Sequence, residues 1–354
     1  MLPTVEAILL VGGLGTRMRP LTDDLPKPLL PVAGAPLVLH QIARARNAGV
    51  AHVVLATSYR AELFAQLLAD GSRLGVTVDY AIEDEPLGTG GAIRNAAGLL
   101  AAGPDDPVLV LNGDILDGHD IAAQLARHTD TAADATLYLT KVSDARPFGC
   151  VPTDAAGRVT AFLEKIATPV TNQINAGCYV LRRAVIDTIQ PGCAVSVERE
   201  IFPGLLSSGD VVQGFLDDSY WLDVGTPESY VRGSADAVLG LVDAPARPGP
   251  AGESLDAHDS AVSPTAALRA GTSIGSGCVI GPGAVIEGSV LFDGVVIGPE
   301  AVVNSSAVGR NARVGAGAVL NGVIVGTGVE VPAGACPKPG TRLVSGDSSL
   351  ASPE

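Results

Sequence analysis

Residues able to do chemistry gather first in 7–28, which read A-I-L-L-V-G-G-L-G-T-R-M-R-P-L-T-D-D-L-P-K-P. An apolar run over 7–11 stops abruptly at Gly12, Gly13 and Gly15, and Arg17, Arg19 and Lys27 follow in the same loop. Glycines directly after a strand let the backbone turn tightly and aim several N–H groups into one concavity, which is an anion site. The cations add fixed positive charge to those dipoles. A plain strand-to-helix turn needs neither three cations nor prolines on both sides of one lysine (Pro26 and Pro28). A phosphate site is therefore expected. It is neither common glycine-rich type: Met18 stands where a dinucleotide fingerprint has a small residue, and no Gly-Lys-Ser/Thr closes a P-loop.

Two carboxylates occupy comparable places. The apolar run 108–111 ends in Asn112-Gly113-Asp114, and Tyr220-Trp221-Leu222 ends in Asp223 before Val224-Gly225-Thr226-Pro227. A carboxylate at a strand end, beside a glycine that admits ligand, is well placed for Mg²⁺ on nucleotide phosphates. Asp117 and Asp120 lie nearer the next helix and fit capping better. A third glycine-rich stretch, E-D-E-P-L-G-T-G-G at 83–91, also allows backbone to approach a ligand, and its carboxylates read equally well as solvated loop charges.

The elements that must position these groups alternate. Helices are expected over 36–48, 61–69 and 92–101, with buried strands at 7–11, 53–57, 76–82 and 108–111. Such alternation, continuing to about residue 140, means a doubly wound α/β sheet. Ligands of such sheets lie beyond the carboxyl ends of the strands, where all three stretches fall.

The run G-G-x-G-T-R-x-R-P-L-T from Gly12, followed by Pro26-Lys27-Pro28, resembles the signature of sugar-1-phosphate nucleotidyltransferases, also called nucleotide-sugar pyrophosphorylases. The resemblance spans nearly the whole chain. It implies a Rossmann-like mixed sheet, Mg²⁺ as cofactor, and a set of roles. Val11, Gly12, Gly13, Gly15, Thr16 and Arg17 would hold the departing phosphates, and Lys27 would stabilise the α-phosphate. Asp114, with Asn112 and Gly113 beside it, and Asp223 would be the carboxylates on the metal. The loop at 83–91 would read the nucleobase through Glu83 or Glu85, with Gly88 and Thr89 close by. The segment at 146–151, including Gly149, resembles the family's loop near the sugar. Lys165 would bind the sugar's phosphate, while Glu164, Asn175 and Gly177 would line its hydroxyls; without the resemblance, Glu164-Lys165 reads as a surface ion pair. The helix expected around 197–203 reads as structural, although Glu198 sits where the family touches sugar.

A carboxylate in the base-reading loop can accept from the ring N–H and exocyclic amine of guanine together, whereas an amide suits thymine or uracil. With Ile174-Asn175-Ala176-Gly177 and the repeat described next, this resembles the branch of the family that joins GTP to mannose 1-phosphate, giving GDP-mannose and pyrophosphate. The alternatives are dTTP or UTP with glucose 1-phosphate, a non-catalytic regulatory subunit that keeps the fold, and an acyltransferase.

Beyond residue 243 the composition turns to Ala, Pro, Gly, Asp and Ser, so a linker is expected over 244–263 between a catalytic domain, 1–243, and a second domain, 264–345, with a tail at 346–354. In the second domain aliphatic residues recur at Ile274, Ile280, Ile286, Leu291, Ile297, Val303, Val308, Val314, Leu320, Val325 and Val331, in steps of six, six and five. That is a hexapeptide repeat, and it resembles left-handed parallel β-helices. No histidine lies within 272–336, which disfavours the acyltransferase, so homo-oligomerisation is the expected role.

Composition sets the remaining bounds. The formal charge of −15 disfavours nucleic acid as a partner. Five cysteines without a C-x-x-C pair disfavour a disulfide framework or zinc. No uncharged apolar run reaches membrane-spanning length and no basic segment precedes residue 7, so a cytoplasmic protein is expected.

Overall fold

The computed structural model describes residues 5–58, 60–164 and 167–346. It comprises two compact units, Met1–Gly13 with Gln41–Trp221 and Leu14–His40 with Leu222–Glu354. The expected tail lies, beyond Gly346, outside the described residues.

The first unit is built on one mixed sheet. Its parallel half consists of β1 (Glu6–Leu10), β2 (His52–Thr57), β3 (Thr77–Ile82) and β4 (Pro107–Asn112), in the order β3-β2-β1-β4. Helix α1 (Leu37–Asn47) precedes β2, α2 (Ala61–Leu68) and α3 (Gly88–Ala97) flank β3, and α4 (Ile121–Asp130) follows the short β5 (Ile115–Asp117). Ala7, Ile8 and Leu9 of β1 and Val108, Leu109 and Val110 of β4 are fully buried, as continuous apolar strands in a two-faced sheet must be. The antiparallel half is β6 (Ala135–Lys141) and β7 (Gln173–Arg182), with β8 (Val212–Leu216) parallel to β6. The strand order reverses between β1 and β4, and a doubly wound sheet opens its ligand crevice at that switch point.

The second unit carries the signature loop 14–30, helix α5 (Pro227–Leu239) and three stacked parallel sheets of six, five and four strands. Thr226 caps α5 through a reciprocal bond with Ser229, and Pro227 stands at its first position. The register of the three sheets is the one the repeat dictates. Ile274, Leu291, Val308 and Val325 stack in one column, Ile280, Ile297, Val314 and Val331 in another, and Ile286, Val303 and Leu320 in the third. All eleven are at most 3% exposed, and the arrangement is consistent with a left-handed β-helix.

Three boundaries differ from expectation. Strands Ser254–Asp256 and Ala261–Val262 pair with Thr272–Ile274 and Val279–Ile280, so much of the expected linker is the first coil. Its Pro-rich composition hid a coil whose aliphatic positions are only partly filled. His258 consequently lies within the β-helix, exposed on a turn, and the argument from absent histidines loses its force. Helix α3 starts four residues before the expected Ala92, and residues 197–201 form a π-helical turn leading into a helix at Phe202–Ser208. No helix among the described residues is long and apolar enough to cross a membrane.

Ile297 is 1% exposed at the centre of its column. Ile297→Ala should destabilise the β-helix by about 2–5 kcal/mol, seen as a lower midpoint in urea titration.

Candidate active site

Site-building in the first unit begins where β1 and β4 end. The Gly113 N–H donates to the Leu10 carbonyl at 2.9 Å, and a Cβ at Gly113 would stand 2.7 Å from that oxygen. Only glycine permits this approach, which sets the Asn112-Gly113-Asp114 turn against the Val11-Gly12-Gly13 segment. The Val11 N–H is bound to Ala56 O at 2.9 Å and is therefore not available to a ligand. Ser58, which sequence reasoning did not single out, donates its hydroxyl to Gly12 O at 2.9 Å and fixes that peptide. Around Gly13 there is open space on the Cβ side.

Asp114 is half-buried at this strand end. Behind it, Asp117 of β5 is fully enclosed, bound by Arg44 Nη2 at 2.5 Å and His119 Nδ1 at 2.7 Å. His119 stacks on Tyr138 with 3.8 Å between ring centroids, and its Nε2 lies 3.0 Å from Gln124 Oε1. Gln41 of α1 donates to Ile115 O, so α1 holds the residues after Asp114 through Gln41 and Arg44, and α4 holds His119 through Gln124. Burial alone would raise the pKa of Asp117, but Arg44 and His119 outweigh it and hold the carboxyl below its usual value. The cap at α4 is Asp120 alone, whose carboxylate accepts from the Ala123 N–H at 2.9 Å.

On the sugar side expected from the sequence, β7 bulges between Asn175 and Tyr179. Gly177 has φ +83° there, and a Cβ on it would lie 2.8 Å from Asn112 Nδ2. Asn175, Gly177 and the Asn112-Gly113-Asp114 turn are thus brought together. Asn175 donates to the Tyr179 hydroxyl at 2.8 Å, and that hydroxyl faces Glu198 Oε1 at 3.4 Å. Glu198 Oε2 in turn accepts from Thr89 Oγ1 at 2.8 Å and Ser196 Oγ at 2.9 Å. The π-helical turn that carries Glu198 was not legible in the sequence; a lone mid-strand glycine such as Gly177 is a signal for the bulge. Trp221 Nε1 donates to Ala176 O at 2.9 Å, and Phe148 meets the Trp221 ring edge-on at 5.4 Å, walling this side beside buried Gly149. Glu164 is described only as backbone in strand Leu163–Glu164, paired with Gly149–Cys150, and Lys165 lies outside the described residues.

The 83–91 loop differs from its reading as backbone opened for a ligand. A Cβ at Gly88 would strike Val195 O at 2.7 Å and one at Gly91 would strike Cys193 O at 2.4 Å, so these glycines admit the 193–195 segment. Glu83 is buried, and its Oε2 accepts from the Leu87 N–H at 3.1 Å, closing the loop. Burial raises the pKa of Glu83 above the usual carboxylate value. Glu85 is exposed.

In the second unit the signature loop folds on itself. Gly15 adopts φ +60°, and a Cβ there would meet Lys27 Cβ at 3.1 Å and Thr22 Cγ2 at 3.2 Å. Thr22 Oγ1 donates to Gly15 O at 2.8 Å, and Met18, buried, anchors the 3₁₀ turn Thr16–Met18. Thr16 and Arg17 are exposed on that turn, whereas Lys27 is 7% exposed at the start of the turn Lys27–Leu29. Asp223 is half-buried, and a Cβ at Gly225 would lie 2.8 Å from its Oδ1 and 3.0 Å from Arg17 Nη2. Gly225 therefore keeps the Asp223 carboxylate and the Arg17 guanidinium open on one side.

The chain belongs to the nucleotidyl transferase family, whose model matches residues 6–238. A second model, described as the GMPPB C-terminal domain, matches 251–338. The chain is 53% identical over 290 residues to the mannose-1-phosphate guanylyltransferase of Mycobacterium tuberculosis, covering 82% of this chain and 80% of that one. Among solved structures, HddC from Yersinia pseudotuberculosis complexed with GMP-PN is 28% identical with a TM-score of 0.55, covering 65% of this chain and 97% of that one. A Bacillus anthracis structure containing sucrose, 23% identical with a TM-score of 0.61 and covering 70% of this chain and 97% of its own, shares the fold.

Because Asp117 is depressed in the folded state, its stabilisation is present above the unfolded carboxylate value near pH 4 and is lost as pH falls through the folded value. Melting curves should therefore show Asp117→Asn less stable than the parent at neutral pH, with the gap narrowing below about pH 4.

Proposed function

We propose that this chain is a sugar-1-phosphate nucleotidyltransferase that transfers the guanylyl group of GTP to mannose 1-phosphate, releasing pyrophosphate and forming GDP-mannose. The observation that carries the reading is a pair of glycine-built approaches at neighbouring strand ends, Asn112-Gly113-Asp114 against Val11-Gly12-Gly13 and Gly177 against Asn112. The 53% identity to a mannose-1-phosphate guanylyltransferase supports the choice of substrates. A cytoplasmic location follows from those substrates.

The attacking oxygen belongs to a phosphomonoester already ionised at neutral pH, so no general base is required. What remains is to hold two anions in line and to neutralise charge. Arg17 and the Gly12–Thr16 backbone hold the β- and γ-phosphates, and Lys27 faces the α-phosphate. Lys165 takes the phosphate of mannose 1-phosphate, with Glu164, Asn175 and Gly177 on its hydroxyls and Gly149 behind them. The oxygen moves onto the α-phosphorus as the bond to pyrophosphate breaks.

Asp114 and Asp223 suit Mg²⁺, as hard oxygen donors at strand ends, each beside a glycine. No three His, Cys, Asp or Glu side chains among the described residues gather as an all-protein cage, and a nucleotide-bound Mg²⁺ needs only one or two carboxylates beside phosphate. Bound there, the ion supplies charge neutralisation on the phosphates. With Glu83 closing its own loop through Leu87, Glu85 and the remaining oxygen of Glu83 are the acceptors for guanine, near Gly88 and Thr89. Homo-oligomerisation is assigned to the β-helix, where Val279 and Val319 are exposed apolar side chains.

Pyrophosphate release across four nucleoside triphosphates and the 1-phosphates of mannose, glucose and N-acetylglucosamine should peak at GTP with mannose 1-phosphate. A peak at dTTP or UTP removes the guanine reading, and silence throughout removes the enzyme. Lys27→Ala and Asp114→Ala should each lower kcat about a hundredfold to a thousandfold, and near-normal turnover in either ends its assigned role.

A further inference from the structure

The signature loop rests on the β-helix at identifiable points within the second unit. Arg342, on the strand Arg342–Leu343, donates from Nη1 to the Arg19 carbonyl at 3.1 Å. Gly326 faces the next loop residue: a Cβ on it would stand 3.1 Å from Leu343 O of the following coil, 3.2 Å from Pro20 Cβ and 3.3 Å from Pro20 Cγ. Glycines at the equivalent corner in earlier coils meet the following coil and no part of the loop. A Cβ at Gly275 or Gly309 would meet only the backbone and side chain of the following coil. At Gly326, two of the three nearest atoms belong to Pro20.

The support is local. Directly after Pro20 the contact opens into a cavity of about 260 Å³, lined by Leu21, Asp24 and Leu25 on the loop and by Phe292, Arg310 and Thr327 on the coils. Downstream of Lys27 the Tyr230 hydroxyl donates to Pro31 O at 2.6 Å and Ser234 Oγ accepts from the Ala33 N–H at 3.0 Å. Arg19 and Pro20 are thus points at which the coils touch the loop between Arg17 and Lys27. The Thr22–Gly15 bond and the packing of Gly15 against Lys27 tie this loop together, so a push at Pro20 is passed on to the cations it carries.

We propose that Gly326 and Arg342 are positioning residues for the nucleotide: they hold Arg19 and Pro20, and through them set where Arg17 and Lys27 stand. The β-helix then contributes to GTP binding and turnover and not to assembly alone. The inference rests on the reading of Arg17 and Lys27 as phosphate ligands.

Its test is a graded series, Gly326→Ala, Gly326→Val and Gly326→Leu, with Arg342→Met as an independent variant that keeps an apolar stem. Initial rates with GTP and mannose 1-phosphate are measured beside melting temperature and solution mass, using the full chain. No Gly326 substitution is barred by a left-handed φ; the series varies side-chain size against Pro20 and the Leu343 carbonyl, and the melting temperature reports strain on the latter. The expected result is a loss in kcat/KM for GTP that grows with side-chain size, reaching about a hundredfold at leucine, as a displacement near 1 Å produces. Arg342→Met should lose several-fold in the same constant. The KM for mannose 1-phosphate, the melting temperature and the mass should stay near parental values. Parental kinetics throughout the series, or losses that follow only a fallen melting temperature or mass, overturn the proposal. An inactive parent chain would instead overturn the enzyme reading, so the two failures are distinguishable.

Discussion

In the first unit, the proposed site depends on how closely two strand ends approach each other. The Gly113 amide lies 2.9 Å from the Leu10 carbonyl, a distance that leaves no room for any side chain at position 113. This single contact joins the end of β4, with its Asp114, to the end of β1, with its glycines. It occurs where the sheet order reverses, so the crevice is a consequence of topology before any ligand is considered. The same logic recurs one strand over, where Gly177 in the β7 bulge approaches Asn112.

A polar chain, Thr89–Glu198–Tyr179–Asn175, links the loop expected to read the base to the bulge expected to hold the sugar. Beneath the Asp114 turn, the enclosed Arg44–Asp117–His119 group plays the analogous part. Enclosed charges stabilise little in net terms, because desolvation offsets attraction, but removing one partner is costly, which favours a single geometry. The arrangement is therefore better understood as fixing directions than as adding stability. In the second unit, Gly15 and Gly225 do the same with space: each keeps the atoms around Lys27, Arg17 and Asp223 uncrowded.

Periodic features were legible in the sequence and context-dependent ones were not. The eleven aliphatic positions from Ile274 to Val331 stack in the columns their spacing requires, since each coil can bury its core only one way. The strands β1 to β4 were equally readable as apolar runs closed by turns. The first coil was hidden because Asp256 stands in the column that Ile274 and Leu291 continue, leaving only Val262 and Leu268 to mark the repeat. The start of α3 was misplaced because Gly88 and Gly91 look like loop residues, while the true reason for them, the 193–195 segment, is far away in sequence. Long-range partners such as Ser58 for Gly12 and Glu198 for Thr89 carry no local signal at all.

The central claim is that the chain works by placement: it holds an ionised sugar phosphate in line with the α-phosphorus of GTP and contributes no covalent partner of its own. Stereochemistry tests this most directly. With GTP carrying a chiral α-thiophosphate and mannose 1-phosphate as acceptor, one in-line displacement predicts inversion of configuration at the α-phosphorus of the product. Retention would mean two displacements through an enzyme-bound nucleotidyl group, and would contradict the account.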